Sequence, residues 1–231
     1  MSASHFDAIA GEYDASLPAH VVEHYLAKRT AYLLGLVPDG RGLDVGCGTG
    51  VLAGRLAAAG LRMTGCDPSD GMLAVLRARV PGVEAVLASG TALPFQDASF
   101  DLVFCVAVMH HVAEPGAVRA TLGEMVRVCR PGGRVVVWDH NPRNPYWKLL
   151  MARVPQDDGS ERLVGEAELR AGLQAGGGRV LAAQRLGLVP DFVPPAGLRA
   201  AAALERLVER TPGLRSLCAH NVVVATPAVG S

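Results

Sequence analysis

Leu43-Asp44-Val45-Gly46-Cys47-Gly48-Thr49-Gly50 decides the fold. A short apolar run (Gly42, Leu43, Val45) ends in a glycine-dense turn, and residues 51–59 then read as a helix. Strand, glycine loop and helix in that order present backbone N–H groups to a ligand at a helix N-terminus. The glycines alternate as G-x-G-x-G. A dinucleotide fingerprint, G-x-G-x-x-G, would need its third glycine where Val51 stands, so the loop departs from one shaped for a pyrophosphate. Asp44 places a carboxylate beside the turn, which suits a ligand carrying an amine. The bland alternative is a tight turn of the kind any α/β protein contains.

Working outward, residues 61–66 form an expected second strand that ends at Asp67-Pro68. An acid at the end of the second strand, about twenty residues beyond the glycine loop, is placed to accept both ribose hydroxyls of a nucleoside. Pro68 and Met72 then offer apolar surface near an adenine. The alternative is that Asp67 only caps the next helix. An α-amino group, a carboxylate and an adenosine together satisfy this chemistry, and S-adenosylmethionine (SAM) carries all three. Ser69 or Asp70 caps a helix carrying Met72, Leu73, Val75 and Leu76, which stops near Val80-Pro81-Gly82.

Strands are expected at 83–87, 101–108 and 134–138, with a helix from Pro115 between the last two. The run at 101–108 is continuously apolar, as in a strand buried on both faces. Upstream, Pro18 opens a helical pattern (Val22, Tyr25, Leu26, Leu33, Leu36) that Pro38-Asp39-Gly40 stops. Strands alternating with helices imply a mainly parallel sheet with right-handed crossovers and ligands outside the C-terminal strand ends. Past Asp139 a turn-rich Asn141-Pro142-Arg143-Asn144-Pro145 leads into expected helices at 148–153, 166–174 and 198–209, with strands at 180–188 and 221–225. The expected organisation is one domain over 1–231, with N-terminal cap helices (1–40), a cofactor-binding core (41–139) and a substrate-side cover with the last strands (140–231).

Bulk properties narrow the function. The chain has 231 residues, half of them hydrophobic, enough for one α/β core. Its formal net charge is zero, which gives no electrostatic scaffold for a nucleic acid. Five dispersed cysteines without a C-x-x-C pair argue for a reducing compartment. No apolar segment suits a signal peptide or a membrane span, so the expected location is the cytoplasm.

Several stretches resemble the class I SAM-dependent methyltransferases, in particular the small-molecule enzymes of the ubiquinone/menaquinone-biosynthesis type. They are Leu43 to Gly50, Gly65 to Ser69, Thr91-Ala92-Leu93-Pro94-Phe95, Ser99 to Val103, Met109-His110-His111-Val112 and Glu124 to Gly133, in unbroken order. The resemblance implies a Rossmann-like α/β sheet, mostly parallel with an antiparallel last strand and helices on both faces. It also implies that Gly46, Gly48 and Gly50 cradle the methionine moiety, with Asp44, Cys47 and Cys105 as further cofactor-binding candidates, and that Asp67 holds the ribose. The adenine wall falls on Ser89, Gly90 and Thr91. Many relatives carry an Asp where this chain has Ser89, whose hydroxyl makes a single hydrogen bond in its place. Phe6-Asp7 and Tyr13-Asp14 resemble the family's N-terminal segment that folds over the cofactor, which makes Tyr13 a pocket candidate; the alternative is an aromatic that anchors a terminal helix.

His110 and His111 follow the fourth strand and His140 follows the fifth, all at the ligand edge. Each is a candidate for taking a proton from a hydroxyl or amine acceptor, or for merely holding its loop. No carboxylate/histidine spacing in the sequence points to a metal. The expected reaction is methyl transfer to O, N or C of a small molecule. The apolar residues Leu149, Leu150, Met151, Leu204, Leu207 and Val208 suggest a partly apolar acceptor, unless they simply pack on the sheet. The expected assembly is a monomer or homodimer. Three rivals remain. A nucleic-acid methyltransferase is suggested by Asn144-Pro145-Tyr146-Trp147 but opposed by its position after the fifth strand. A SAM-binding sensor or inactive partner is allowed by the fold. An NAD-dependent oxidoreductase is opposed by Val51.

Overall fold

The structure, a computed structural model, describes residues 3–151 and 159–228. In chain order the elements are α1 (Ala3–Ile9), α2 (Ala19–Leu36), β1 (Arg41–Val45), α3 (Val51–Ala58), β2 (Arg62–Asp67), α4 (Asp70–Arg79), β3 (Glu84–Leu87) and β4 (Phe100–Val106). There follow α5 (Met109–Val112), α6 (Pro115–Val128), β5 (Cys129–His140), α7 (Tyr146–Met151), α8 (Glu166–Ala175), β6 (Gly178–Leu186), α9 (Leu198–Arg210) and β7 (His220–Pro227). Seven strands join in the order β3-β2-β1-β4-β5-β7-β6. All pairs from β3 to β5 are parallel, and β7 is antiparallel to both β5 and β6. The last strand alone runs against the others.

Alternation along the central strand builds two cores. Val103 and Cys105 of β4 face one layer with Leu122 of α6 and Leu169 of α8. Leu102 and Phe104 face the other, with Leu33 of α2, Leu56 of α3 and Leu73 of α4. Each side chain in this set is buried, which explains why the strand reads as an unbroken apolar run.

Local chemistry fixes the ends. The Ser69 hydroxyl accepts from the Met72 amide (3.1 Å) and caps α4. Pro115 sits at the start of α6, where the Glu114 carboxylate accepts from the Gly116 and Ala117 amides. Boundaries shift from the expected ones for identifiable reasons. β4 stops at Val106 rather than 108 because Ala107 takes a left-handed φ of 56°. β5 begins at Cys129 rather than 134, because Phe100 pairs with Cys129 and Leu102 with Arg134 across an irregularity that absorbs Pro131-Gly132-Gly133. β6 ends at Leu186, since Gly187 turns at φ 82° where a Cβ would lie 2.8 Å from His220 Nδ1. The helix expected over 148–153 starts at Tyr146, and its expected residues 152 and 153, with the Leu149 side chain, lie outside the described residues. In α9, Val208 is buried while Leu204 and Leu207 are exposed, so those two leucines do not pack on the sheet.

Candidate functional site

At the C-terminal ends of β1, β2 and β4 lies a cavity of about 320 Å³. A second, more open groove opens at the opposite edge, beside Arg41, Arg62 and Glu84, the first residues of their strands. Parallel open sheets bind ligands at the former edge, and most, though not all, of the candidate residues line the cavity there.

The floor is the glycine loop. Gly46, Gly48 and Gly50 all have left-handed φ (74°, 53° and 76°), a conformation strained for any residue with a Cβ. They serve different ends. A Cβ on Gly46 would sit 2.6 Å from Val108 Cγ2, and one on Gly50 would sit 2.5 Å from Leu76 Cγ. Gly48 has nothing within 4 Å, so its open side faces the cavity it lines. Gly50 does not line the cavity; it lets α3 start close against α4. Cys47 also stays off the cavity surface, its sulfur packed over Gly65 of β2.

The loop amides are not bare, contrary to expectation. Gly46 and Cys47 both donate to the Cys66 carbonyl (2.8 and 3.0 Å), and Gly50 donates to the Cys47 carbonyl (3.0 Å). Gly48 donates to Asp67 Oδ2 (2.9 Å). A loop whose amides are already engaged makes a poor phosphate cradle, which supports the argument drawn from Val51.

Asp67 therefore has two tasks. Its Oδ1 accepts from the Ser69 amide (2.9 Å) while Oδ2 holds Gly48, and its carboxylate still borders the cavity. Burial raises its pKa, Asp7 adds to the rise, and the two amides oppose it. Asp44, behind the loop, is only 4% exposed. Burial first, then the neighbouring Asp67, push its pKa up to about 8 against the pull of Arg29. It does not line the cavity, and it is the buried carboxyl nearest in sequence to the loop.

Pro68, Met72, Ser89, Gly90 and Thr91 form one side wall. The Ser89 and Thr91 hydroxyls lie 2.8 Å apart. Thr121 of α6, which the sequence reading did not single out, completes this wall. Its Oγ1 is buried and has no hydrogen-bond partner among the described residues, the condition in which a bound ligand supplies the missing bond. The Gly90 backbone approaches so closely that a Cβ there would lie 2.9 Å from Thr121 Cγ2.

The N-terminal segment forms the roof. Asp7 Oδ1 accepts from the Ser69 hydroxyl (2.6 Å) and the Gly71 amide (2.9 Å), and those bonds hold its pKa below the ordinary value. Asp14 accepts from the Thr49 hydroxyl (2.8 Å) and from Arg79 (2.5 Å). Both acids of the Phe-Asp and Tyr-Asp pairs are thus clamps, and Phe6 and Tyr13 line the cavity they hold closed. Phe6 packs edge-on against Tyr13 and against His111, with centroids 6.3 and 5.3 Å apart.

The far wall is Val106, Ala107, Val108, His111, Val112 and Ala117. The short α5 that carries the histidines is bracketed by two strained alanines, Ala107 and Ala113, each at φ 56°. His111 faces the cavity. His110 turns inward, with Nδ1 2.8 Å from Asp139 Oδ1, an acid absent from the expected site. Asp139 also accepts from the Met109 amide (2.5 Å) and the His140 amide (2.6 Å). Burial works to raise its pKa, but His110 and those bonds hold it below its ordinary value.

Two expectations are corrected here. His140 does not reach the cavity: its ring is sandwiched between Trp147 (3.5 Å, 6°) and His110 (4.0 Å, 22°). Burial first, then the neighbouring His110, His220, His111 and Arg29, drive its pKa well below the ordinary value. Cys105 is fully buried in the α6 core beside Val45 and Val137, because it points to the opposite sheet face from Phe104. The fold also assembles a cluster that the sequence spacing did not reveal. Among the described residues, His110, Asp139 and His140 bring ligand-type atoms within 4.8 Å of one another. With three N–H donors already on the Asp139 carboxylate, hydrogen bonds close that cluster.

Comparison with known proteins places the chain in a family. The pattern of a methyltransferase domain matches residues 43–137. A demethylmenaquinone methyltransferase from Renibacterium salmoninarum is 36% identical over 163 residues, 66% of this chain and 67% of that protein. The chain belongs to the class I SAM-dependent methyltransferases. Two further demethylmenaquinone methyltransferases, from Clavibacter sepedonicus and Beutenbergia cavernae, are 39% and 37% identical, and the alignments span 55% and 58% of their lengths. The fold is that of a SAM-dependent methyltransferase from Thermotoga maritima (TM-score 0.71, 20% identity, 97% of this chain and 99% of that one). It is also that of magnesium protoporphyrin IX methyltransferase from Synechocystis with bound S-adenosylhomocysteine (TM-score 0.62, 16% identity, 89% and 82%). This methyltransferase uses SAM as its cofactor. Among its described residues no helix is long and apolar enough to cross a membrane.

Proposed function

We propose that this enzyme methylates a small, partly apolar aromatic molecule of the reduced-quinone type. The name shared by its curated relatives suggests a ring carbon of demethylmenaquinol as the acceptor. The observation that carries the reading is one cavity, at the C-terminal ends of β1, β2 and β4, with two unlike walls. One wall has Gly48, Asp67 and Thr121; the other has Val106, Val108, Val112 and His111.

The donor set fits the cofactor. Asp67 keeps lone pairs for the ribose hydroxyls, the open side of Gly48 admits the amino-acid portion, and Asp44 is a buried carboxyl near the ammonium end. Pro68, Met72 and the Ser89–Thr91 turn flank the adenine, with the unpartnered Thr121 hydroxyl beside them. When bound, SAM supplies an electrophilic methyl group on a cationic sulfur. The apolar far wall orients a flat acceptor and excludes water from it. The acceptor gains a methyl group and loses one proton, and His111 is the side chain on that wall able to receive it. Asp139 fixes the neighbouring His110, whose ring lies 3.9 Å from that of His111, and so positions the base. Tyr13 and Phe6 close the roof.

Residues 1–231 work as one methyltransferase domain, monomeric or homodimeric. Five free cysteines support a cytoplasmic setting. The test is incubation with SAM and a reduced naphthoquinone bearing a ring C–H and a short prenyl chain, followed by mass spectrometry. The expected products are S-adenosylhomocysteine and a quinol heavier by one methylene. Tight SAM binding without product, across reduced naphthoquinones and benzoquinones, would favour the non-methylating sensor.

A further inference from the structure

Among the described residues seven large hydrophobic side chains are exposed, and four of them fall within 204–217: Leu204 (54%), Leu207 (60%), Leu214 (42%) and Leu217 (50%). Scattered exposed leucines need no explanation; a concentration on one helix and the turn after it does. The surface of α9 divides into three strips. Glu205 and Val208 face the protein. Arg199, Arg206 and Arg210, at i, i+7 and i+11, share a second strip. Ala200, Leu204 and Leu207, at i, i+4 and i+7, form the third.

Charge is sorted across these strips. Both acids of α9 are committed inward. Glu205 accepts from Lys28 (2.5 Å) and from the Leu188 amide (2.7 Å), and Glu209 accepts from Lys28 and from the Gly187 amide (2.7 Å). Burial works to raise the Glu205 pKa, yet Lys28 and the amides hold it low, so the acid remains ionised. The outer side of residues 198–217 therefore shows four exposed arginines (199, 206, 210 and 215) and no exposed acid. The chain as a whole is neutral, so this is a local concentration.

We propose that α9 and the turn after it dock on an anionic lipid surface, with the leucines entering the headgroup boundary and the arginines meeting lipid phosphates. An apolar strip beside an arginine strip is the composition of an interfacial helix. A second copy of this chain would bring the same positive strip against itself. A nucleic acid would satisfy the arginines but leave the leucines in water. The inference goes beyond the acceptor assignment and does not depend on it.

The test is flotation of the full chain with phosphatidylcholine vesicles, with and without about a third phosphatidylglycerol, at low and high salt. Binding is expected on the anionic vesicles and should weaken with salt. Arg206→Gln/Arg210→Gln should lower partitioning about 25-fold, about fivefold per arginine, and Leu204→Gln/Leu207→Gln about tenfold. Both variants should keep wild-type SAM affinity and turnover of a water-soluble acceptor, which separates docking from catalysis and from folding. Failure of the wild-type chain to bind anionic vesicles at low salt would overturn the proposal. So would a concentration-dependent dimer abolished by Leu207→Gln, or RNA binding that the arginine variant alone removes.

Discussion

The two walls of the cavity are built from different material. The wall proposed for the cofactor is mostly backbone: the left-handed Gly46 and Gly48, amides folded back on Cys66 and Asp67, and a carboxylate that ties the loop to the next strand. The wall proposed for the acceptor is side chains: Val106, Val108, Val112 and His111 against Phe6, with His110 on Asp139 and His140 stacked on Trp147 packed out of reach of the cavity. A wall of backbone is shaped by a few neighbouring residues and admits one ligand geometry. A wall of side chains depends on partners far apart in the chain and can be changed without disturbing the sheet. Mutations should therefore separate turnover from cofactor binding.

The largest effect is expected on the second wall. His111→Ala should lower kcat by about 10²–10⁴-fold, the range for loss of a general base, while SAM affinity by titration calorimetry stays nearly unchanged. His140→Phe should leave kcat close to wild type, because that ring is sealed away from the cavity. Equal losses in the two variants would erase the distinction drawn between them.

Next comes Asp67→Asn. Hydrogen bonds to a charged group are worth about 1.5–3 kcal/mol, so losing carboxylate acceptance on the ribose side should weaken SAM binding by about 10–100-fold. Turnover at saturating SAM should fall less. The reverse pattern would move Asp67 from holding to chemistry.

Substituting the glycines sharpens the comparison within one loop. Gly46→Ala meets Val108 and should destabilise the protein by about 1–3 kcal/mol in urea unfolding, the usual cost of overpacking. Gly48→Ala meets no protein atom within 4 Å and carries only left-handed strain of about 1–2 kcal/mol. Its methyl group projects where the ligand belongs, so it should cost more in SAM affinity than in stability. If both lose only stability, the open side of Gly48 is not a ligand surface.

The smallest effect is a pH dependence. With its folded pKa raised from 3.8 to about 8, Asp44 holds a proton that the unfolded chain has released. Its contribution to stability is therefore present at low pH and lost as pH rises from about 4 to 8. An ammonium group bound near it favours the carboxylate, so SAM affinity should climb with pH toward about 8, by at most about tenfold per unit. Proton release should be visible in buffers of different ionisation enthalpy. Asp44→Asn should flatten both.

The sequence was legible where the physics is local. The G-x-G-x-G run at 46–50, the Asp67-Pro68 turn and the Ser69 cap each act within a few residues, and the strands and helices fall where the pattern puts them. The seams were less clear. Ala107 shortens β4 by a positive φ that no residue type advertises. The engaged amides of the loop were hidden because their acceptors, Cys66 and Asp67, come from the next strand. Asp139 and Thr121 were missed, since their importance comes from what lies across the sheet: an inward-turned His110 and a close Gly90 backbone. Cys105 was placed at the site by resemblance, and the alternation of a doubly buried strand turned it away. His140 follows the right strand at the right edge, but Trp147, seven residues later, lies over it.

The central claim is that SAM lies along the backbone wall with its sugar at Asp67. A crystal structure with S-adenosylhomocysteine tests it most directly. The account predicts both ribose hydroxyls within hydrogen-bonding distance of the Asp67 carboxylate, the amino-acid portion over Gly48, and the sulfur turned toward His111. A ligand seated away from Asp67, or with its adenine against His111, would contradict it.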